Sequence, residues 1–290
     1  MPTPQKSIPD FHQKITNQII EALESGTKPW ECPWDNTVAN SIPFNGSTGK
    51  SYNGMNIMLL WMTAFERKFS SSVWLTFKQA KSLGGQVRRG EKGTQIFFYS
   101  MVEKKGSTSS EKETYSMLKT YSVFNADQVD GLNADNIVSP GSHSTEVDLF
   151  LQSTGADIVV NGLKAFYRSS TDQIVLPFRD RFSDDANFYA TALHELTHWT
   201  GHKSRCDRKL GNVFGSKDYA QEELVAELGS AFLMAELGIS GEVQHESYIA
   251  NWLTALKNDK RYIFKAASMA NKAYSYIMEQ VINSQMDKAA

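Results

Sequence analysis

His194-Glu195-Leu196-Thr197-His198 sets two imidazoles four residues apart with a carboxylate beside the first. On a helix, residues at this spacing share one face, one turn apart, so both rings can bind a single metal ion. Glu195 then stands next to that ion and can act as general base on a water there. Phe188, Ala192, Leu193 and Leu196 give the same segment an apolar side whose burial would hold the histidines rigid. The plainer alternative is a chance match on a surface helix.

A catalytic zinc needs a third protein ligand and an open fourth position. The metzincin pattern H-E-x-x-H-x-x-G-x-x-H fails here: Gly201 occupies the glycine position, but Ser204 stands where the third histidine belongs. His202 is one turn beyond His198 on the same helix, too close to be the obvious ligand, and reads as a partly exposed polar side chain. Downstream, Glu223 and Glu227 are four apart in Glu222-Glu223-Leu224-Val225-Ala226-Glu227, while Glu222 points about 100° away. This layout resembles that of gluzincins, in which a second helix supplies a glutamate ligand and a later acid bonds to a ligand histidine. The resemblance implies Glu223 as ligand and Glu227 as the acid fixing a histidine tautomer. The reverse assignment, Glu227 on the metal, stays open. Glu222 and Glu223 could also form a solvated helix edge, but Glu227 sits among Leu224, Val225, Leu228, Ala231 and Phe232, where an acid needs a partner. Zinc is the expected metal, with another divalent ion such as manganese as the alternative. The chemistry is attack of an activated water on a carbonyl, with Tyr189, His202 or Tyr219 available to stabilise the oxyanion.

A different chemistry is written in the first half. Lys50, Tyr52, Asn53 and Asn56 lie close together, followed by Trp74, Lys78, Gln79, Lys81, Gln86, Arg88, Arg89 and Lys92. Cations that track phosphates, rings that stack on bases and amides that meet base edges are what single-stranded nucleic acid requires. Gly84-Gly85 and the Gly90/Gly93 pair would let backbone approach phosphate. The plainer reading is that the aromatics are core and the charges a solvated face.

These residues need elements to carry them. Asp10 is placed to cap a helix bearing Phe11, Ile15, Ile19, Ile20 and Leu23, closed by Gly26. A Trp/Pro-rich loop, Lys28 to Trp34, follows. A helix is expected from Asn53 to Arg67, a short strand over Val73–Leu75, and a short helix from Thr76 to Leu83. Thr94–Val102 and Thr114–Phe124 read as strands of a hairpin around the turn at 106–110. Val138 to Ser144 has linker composition, and the domain boundary is placed there, giving 1–140 and 141–290. Val147–Ser153 reads as a short helix, and Leu163–Tyr167 and Gln173–Leu176 as strands. Asp184 caps the helix that carries the metal motif. A third helical stretch covers Tyr219–Leu237, and two more helices finish the chain. The fold class is α+β: an N-terminal mixed α+β domain with a β-hairpin, and a mainly helical, zincin-like domain with a small sheet.

Charge agrees with two modules. Residues 49–105 hold ten Lys/Arg against three acids, and residues 146–242 nine against fifteen. Two cysteines, Cys32 and Cys206, make no disulfide framework and suit a reducing compartment. No stretch has the length of a membrane span, and residues 1–10 lack a signal-peptide core, so a cytoplasmic location is expected.

Taken together the motifs resemble the ArdC-type antirestriction proteins of conjugative plasmids, a family whose N-terminal domain is shared with plasmid TraC primases. The residues that carry the resemblance are Ile15-Thr16 with Ile19-Ile20 and Leu23 through Gly26, Pro29-Trp30, Pro33-Trp34, and Tyr52-Asn53-Gly54-Met55-Asn56. Trp74-Leu75-Thr76 with Lys78-Gln79-Ala80, Gly84 through Arg88, Gly90 through Gly93, His194 through Gly201, Tyr219-Ala220 and Glu222 through Leu228 complete it. The resemblance implies single-stranded-DNA binding by the first domain and a zincin-like metallopeptidase in the second. It also implies protection of incoming conjugative DNA from host restriction, with a protein of the restriction system as a conceivable substrate and no membrane partner. The chain ends soon after the second domain, which favours the stand-alone form over a primase fusion. The competing expectations are a metallopeptidase whose first domain recognises a protein substrate, and a DNA-binding module in which zinc is structural.

Overall fold

The computed structural model describes residues 10–30, 41–103, 114–139, 146–210, 216–239 and 248–289. Most of the Trp/Pro loop, Cys32, the turn at 106–110 and most of the expected linker lie outside these. The chain divides into two compact units, one formed by Met1–Trp34 with Ser142–Ala290 and the other by Asp35–Gly141. The expected boundary falls one residue from the second division. By their contacts the first 34 residues group with the metal-motif unit, which differs from the expected division at 1–140.

Helix α1 (Phe11–Glu24) begins at Asp10, whose carboxylate accepts from the His12 and Gln13 amides. Ile15, Ile19, Ile20 and Leu23 form its buried stripe. Thr16 Oγ1 donates to the Lys260 carbonyl at 2.8 Å, Lys260 pairs with Asp10, and Trp30 packs edge-on against Trp252 with centroids 5.6 Å apart. These contacts are the physical reason that α1 belongs with the C-terminal residues.

In the Asp35–Gly141 unit the elements are β1 (Phe44–Asn45), α2 (Met55–Arg67), β2 (Val73–Thr76), α3 (Phe77–Ser82), β3 (Gln86–Val87), β4 (Thr94–Glu103), β5 (Thr114–Asn125) and β6 (Val129–Asp130). The main sheet runs β1-β2-β5-β4, with β1 parallel to β2 and the rest antiparallel; β3 and β6 make a separate antiparallel pair. The two-residue strands β1, β3 and β6 are too short to show a period, and sequence alone missed them. Thr76 ends β2 and caps α3: its Oγ1 accepts from the Gln79 amide while Gln79 Oε1 accepts from the Thr76 amide. Gly54 starts α2 at φ 52°, a conformation side chains rarely adopt.

Asn56, in the first turn of α2, reaches the outer edge of β4. Its amide donates to the Phe97 carbonyl at 2.8 Å, and its Oδ1 accepts from the Phe97 amide at 3.0 Å. One side chain thus supplies what a neighbouring strand would supply to a buried stretch of edge. Asn56→Ala strips a buried donor and acceptor of their partner, so it should lower stability by about 1–3 kcal/mol in a urea titration.

The other unit continues with α4 (Val147–Ser153), β7 (Asp157–Val160), β8 (Phe166–Arg168), β9 (Gln173–Leu176), α5 (Asp185–Trp199), α6 (Lys217–Leu237), α7 (Ile249–Asn258) and α8 (Tyr262–Ala289). Its sheet runs β7-β9-β8, β7 parallel and β8 antiparallel to the central β9. Strand β7 was not expected. Asp184 caps α5 through the Asn187 amide at 2.8 Å, and Ser216 caps α6. From Glu222 to Ala235 every residue of α6 is buried, because α5 and α8 both pack against it. Ala266, Ala267, Ala270 and Ala273 let α8 come close. The whole is α+β, with this unit mainly helical. Among the described residues no helix is long and apolar enough to cross a membrane.

Candidate metal centre and nucleic-acid surface

The metal motif lies in the last two turns of α5, buried by the packing of Leu193 and Leu196 into the core. Opposite it, α6 approaches closely at Gly229. A Cβ there would lie 2.5 Å from Thr197 Cγ2 and 2.8 Å from Thr197 Oγ1, so only glycine allows the two helices to meet at this separation. That approach brings Glu223 onto the motif. His194 Nε2 and His198 Nε2 are 3.1 Å apart, and each is 3.6 Å from a Glu223 carboxylate oxygen. One ligand atom from each of the three residues lies within 4.8 Å of the others. Two nitrogens bound at ~2.0–2.1 Å to one tetrahedral ion sit roughly 3.3 Å apart, so the geometry suits shared ligation. Two imidazoles and a carboxylate are a donor set for zinc or manganese. His194, His198 and Glu223 therefore fit a divalent metal, and Glu195, 6% exposed, stands beside them.

Burial alone would lower the His198 pKa, but the hydrogen bond to Glu222 and the charges of Glu223, Glu222 and Glu195 outweigh it and raise it to about 9. A metal ion at this site competes with that proton.

A carboxylate bonded to a candidate ligand histidine is Glu222, a contact the helical period does not anticipate. Glu222 Oε1 lies 3.1 Å from His198 Nδ1. Glu222 also takes a two-pronged bond from Arg208, Nε to Oε2 at 2.9 Å and Nη2 to Oε1 at 2.7 Å. Burial would raise the Glu222 carboxyl, but Arg208 and His198 together hold it below the ordinary range. Two further Arg208 donors go to Thr200 Oγ1 and the Thr197 carbonyl, both at 2.7 Å, which ties the network to the end of α5. Glu227 is buried one turn further along α6.

A cleft of about 340 Å³ opens on this centre, lined by His194, Glu195, His198, Glu223, Tyr219 and Tyr248 on one side and by residues of and beside β8 on the other. Among the oxyanion candidates, Tyr219 lines the cleft. Tyr189 instead accepts from Arg179 at 3.1 Å, and His202 bonds to Ser204 at 2.7 Å. Tyr248 was missed; its hydroxyl donates to that of Tyr219 at 3.2 Å. Burial, the Tyr248 contact and the Glu223 charge all raise the Tyr219 pKa, so it stays a proton donor. Within this sheet β8 is an edge strand among the described residues, and Phe166 on it is 37% exposed.

The residues assigned to DNA divide. Lys50, Asn53, Lys78, Lys81, Gln86, Arg89 and Lys92 are exposed. Four are corrections, because their side chains are used inside the unit. Trp74 is 1% exposed in the central strand β2, Asn56 closes the β4 edge, Tyr52 is buried, and half-buried Gln79 caps α3 and bonds to Asn45. Arg88 is exposed, but it bonds Glu91 at 2.9 Å, Asp130 at 3.3 Å and the Asp127 carbonyl at 2.5 Å. It fastens the 88–93 loop, so its charge is locally matched.

Two histidines and a glutamate on adjacent helices, with a second glutamate beside the first histidine, define a zincin-like unit. Two family models match accordingly: the zincin-like metallopeptidase over residues 145–269, and the N-terminal domain of anti-restriction factor ArdC over residues 9–124. The ArdC protein of plasmid R388, solved by crystallography in metal-free and Mn(II)-bound forms, is 41% identical. In the metal-free form the likeness has a TM-score of 0.82 and covers 94% of this chain and 98% of that one. An uncharacterised protein of Sinorhizobium fredii, y4eC, is 36% identical over 99% of this chain and 97% of its own length. A DNA primase TraC of Escherichia coli is 38% identical over 92% of this chain, which spans 20% of the primase. The chain belongs to the ArdC family of antirestriction proteins.

Proposed function

We propose that this protein binds single-stranded DNA through the Asp35–Gly141 unit, hydrolyses peptide bonds at a divalent-metal site in the other, and by these means protects incoming conjugative DNA from restriction. The observation that carries the peptidase reading is the convergence of His194, His198 and Glu223 beside Glu195 in a cleft bordered by an edge strand. An ion held by those three residues would polarise the scissile carbonyl. Glu195 takes a proton from the attacking water and returns it to the leaving amine. Tyr219 donates a hydrogen bond to the developing oxyanion, and Tyr248 orients it. Among the described residues the outer side of β8 has no partner strand, and its backbone groups there suit an extended peptide, with Phe166 as an apolar surface for its side chains. Zinc is our assignment for the metal; the Mn(II)-bound relative supports a divalent ion more broadly.

DNA binding is supported by the family, by the N-terminal domain shared with the primase, and by the exposed lysines and Arg89. Titrating full-length protein into fluorescent single- and double-stranded oligonucleotides across a salt series tests it. Tighter binding to the single strand is expected, weakening steeply with salt. Absence of binding at low salt by folded, metal-loaded protein would overturn the reading and leave a peptidase whose other unit recognises something else.

A further inference from the structure

A ring that stacks on a base must be exposed, and the rings first assigned to that task, Tyr52 and Trp74, are core. The exposed rings described in the Asp35–Gly141 unit are Phe65, Phe77, Phe98 and Tyr121. Phe98 and Tyr121 are neighbours, with centroids 5.7 Å apart and planes at 70°. The register of the β4–β5 hairpin explains why. Ile96 faces Tyr121 and Phe98 faces Lys119, and strand alternation puts all four on one face. Ile96 is buried at 2% exposure, whereas Phe98 and Tyr121 are 43% and 46% exposed. The core therefore covers Ile96 but neither Tyr121 across from it nor Phe98 beyond it. Lys119, directly across from Phe98, is exposed as well.

An aromatic pair left in solvent on a two-stranded ribbon, with a lysine directly across from one of its rings, is costly unless something covers it. The unit that carries the hairpin, residues 35–141, holds twelve Lys/Arg against nine acids, a positive excess that favours a polyanion. A duplex hides the faces of its bases, while a single strand can splay them onto rings.

We propose that this face of the hairpin is the base-stacking platform for single-stranded DNA, with Phe98 and Tyr121 each taking one base and Lys119 meeting the phosphate between them. The proposal rests on the single-strand reading above and gives it an address. Because the rings stand at a steep angle, they receive two bases separately instead of clamping one. Stacking is indifferent to base identity, so the platform predicts binding with little sequence preference.

Full-length protein titrated into fluorescent oligothymidylate tests this. Phe98→Ala and Tyr121→Ala should each weaken binding by about 5- to 100-fold with the salt slope unchanged. Lys119→Ala should reduce the slope by roughly 0.7. Phe98→Trp should bind like the unaltered protein, and Phe65→Ala, on α2, should have no effect. If the Phe98→Ala/Tyr121→Ala double variant binds as tightly as the unaltered protein, the platform is elsewhere, although the single-strand reading survives. Should the unaltered protein fail to bind, both fall together. A double variant that keeps DNA affinity but sediments as a smaller species would mark the face as a contact between copies and overturn the proposal.

Discussion

Arg208→Ala is expected to weaken divalent-metal binding about 10- to 100-fold, although Arg208 is not among the three candidate ligands. The guanidinium grips Glu222 at two points, and Glu222 holds His198 Nδ1. Without that grip the ring loses the partner that fixes its tautomer and direction. Arg208 and Glu222 side chains are 5% and 6% exposed, so removing one leaves a buried charge and should also cost about 3–5 kcal/mol of stability. The two effects can be separated. The Arg208→Ala/Glu222→Ala double variant removes both charges and should recover part of the stability without recovering metal affinity. Arg208→Lys keeps the charge but not the fork, and should fall between. Chelator competition reads the affinity and urea unfolding the stability. Unchanged metal affinity in folded Arg208→Ala would show that the network serves only the fold.

The second large effect separates binding from chemistry. His194→Ala or Glu223→Ala should abolish metal binding at stoichiometric concentrations, since each removes one of three protein donors. Glu195→Ala should keep the metal and lower peptide cleavage by about 10²–10⁴-fold, the usual contribution of a positioned general base. DNA affinity should be unaffected in all three variants. If Glu195→Ala holds metal and every function of the protein persists, the ion is structural.

How far the site could be read beforehand depended on whether its parts lay on one periodic element. His194, Glu195 and His198 share two turns of one helix, and Glu223 lies on a second helix with its own period. Glu222 was passed over because periodicity turned it away from Glu223. What makes it important is Arg208, from a loop after α5 whose path no period describes. Tyr219 could be named but not chosen from among Tyr189 and His202 until the helices were packed. Trp74 failed for the opposite reason. Its strand is central and covered on both faces, with Val73, Trp74 and Leu75 all buried, so it shows no alternation, and nearby lysines made it look exposed. The amphipathic period of α1 announced a buried face without saying whose surface it meets.

That last feature bears on how the molecule is made. A ribosome releases α1 long before its docking surface on α7 and α8 exists, with the whole Asp35–Gly141 unit emerging in between. The middle unit has all of its residues available first and can fold while synthesis continues, whereas the stripe of Ile15, Ile19, Ile20 and Leu23 must wait, exposed, for the far end of the chain. Trp252 closes against Trp30 only when α7 has left the exit tunnel. A fragment starting near residue 140 would lack that lid for good, exposing an apolar surface at Trp252 and inviting aggregation.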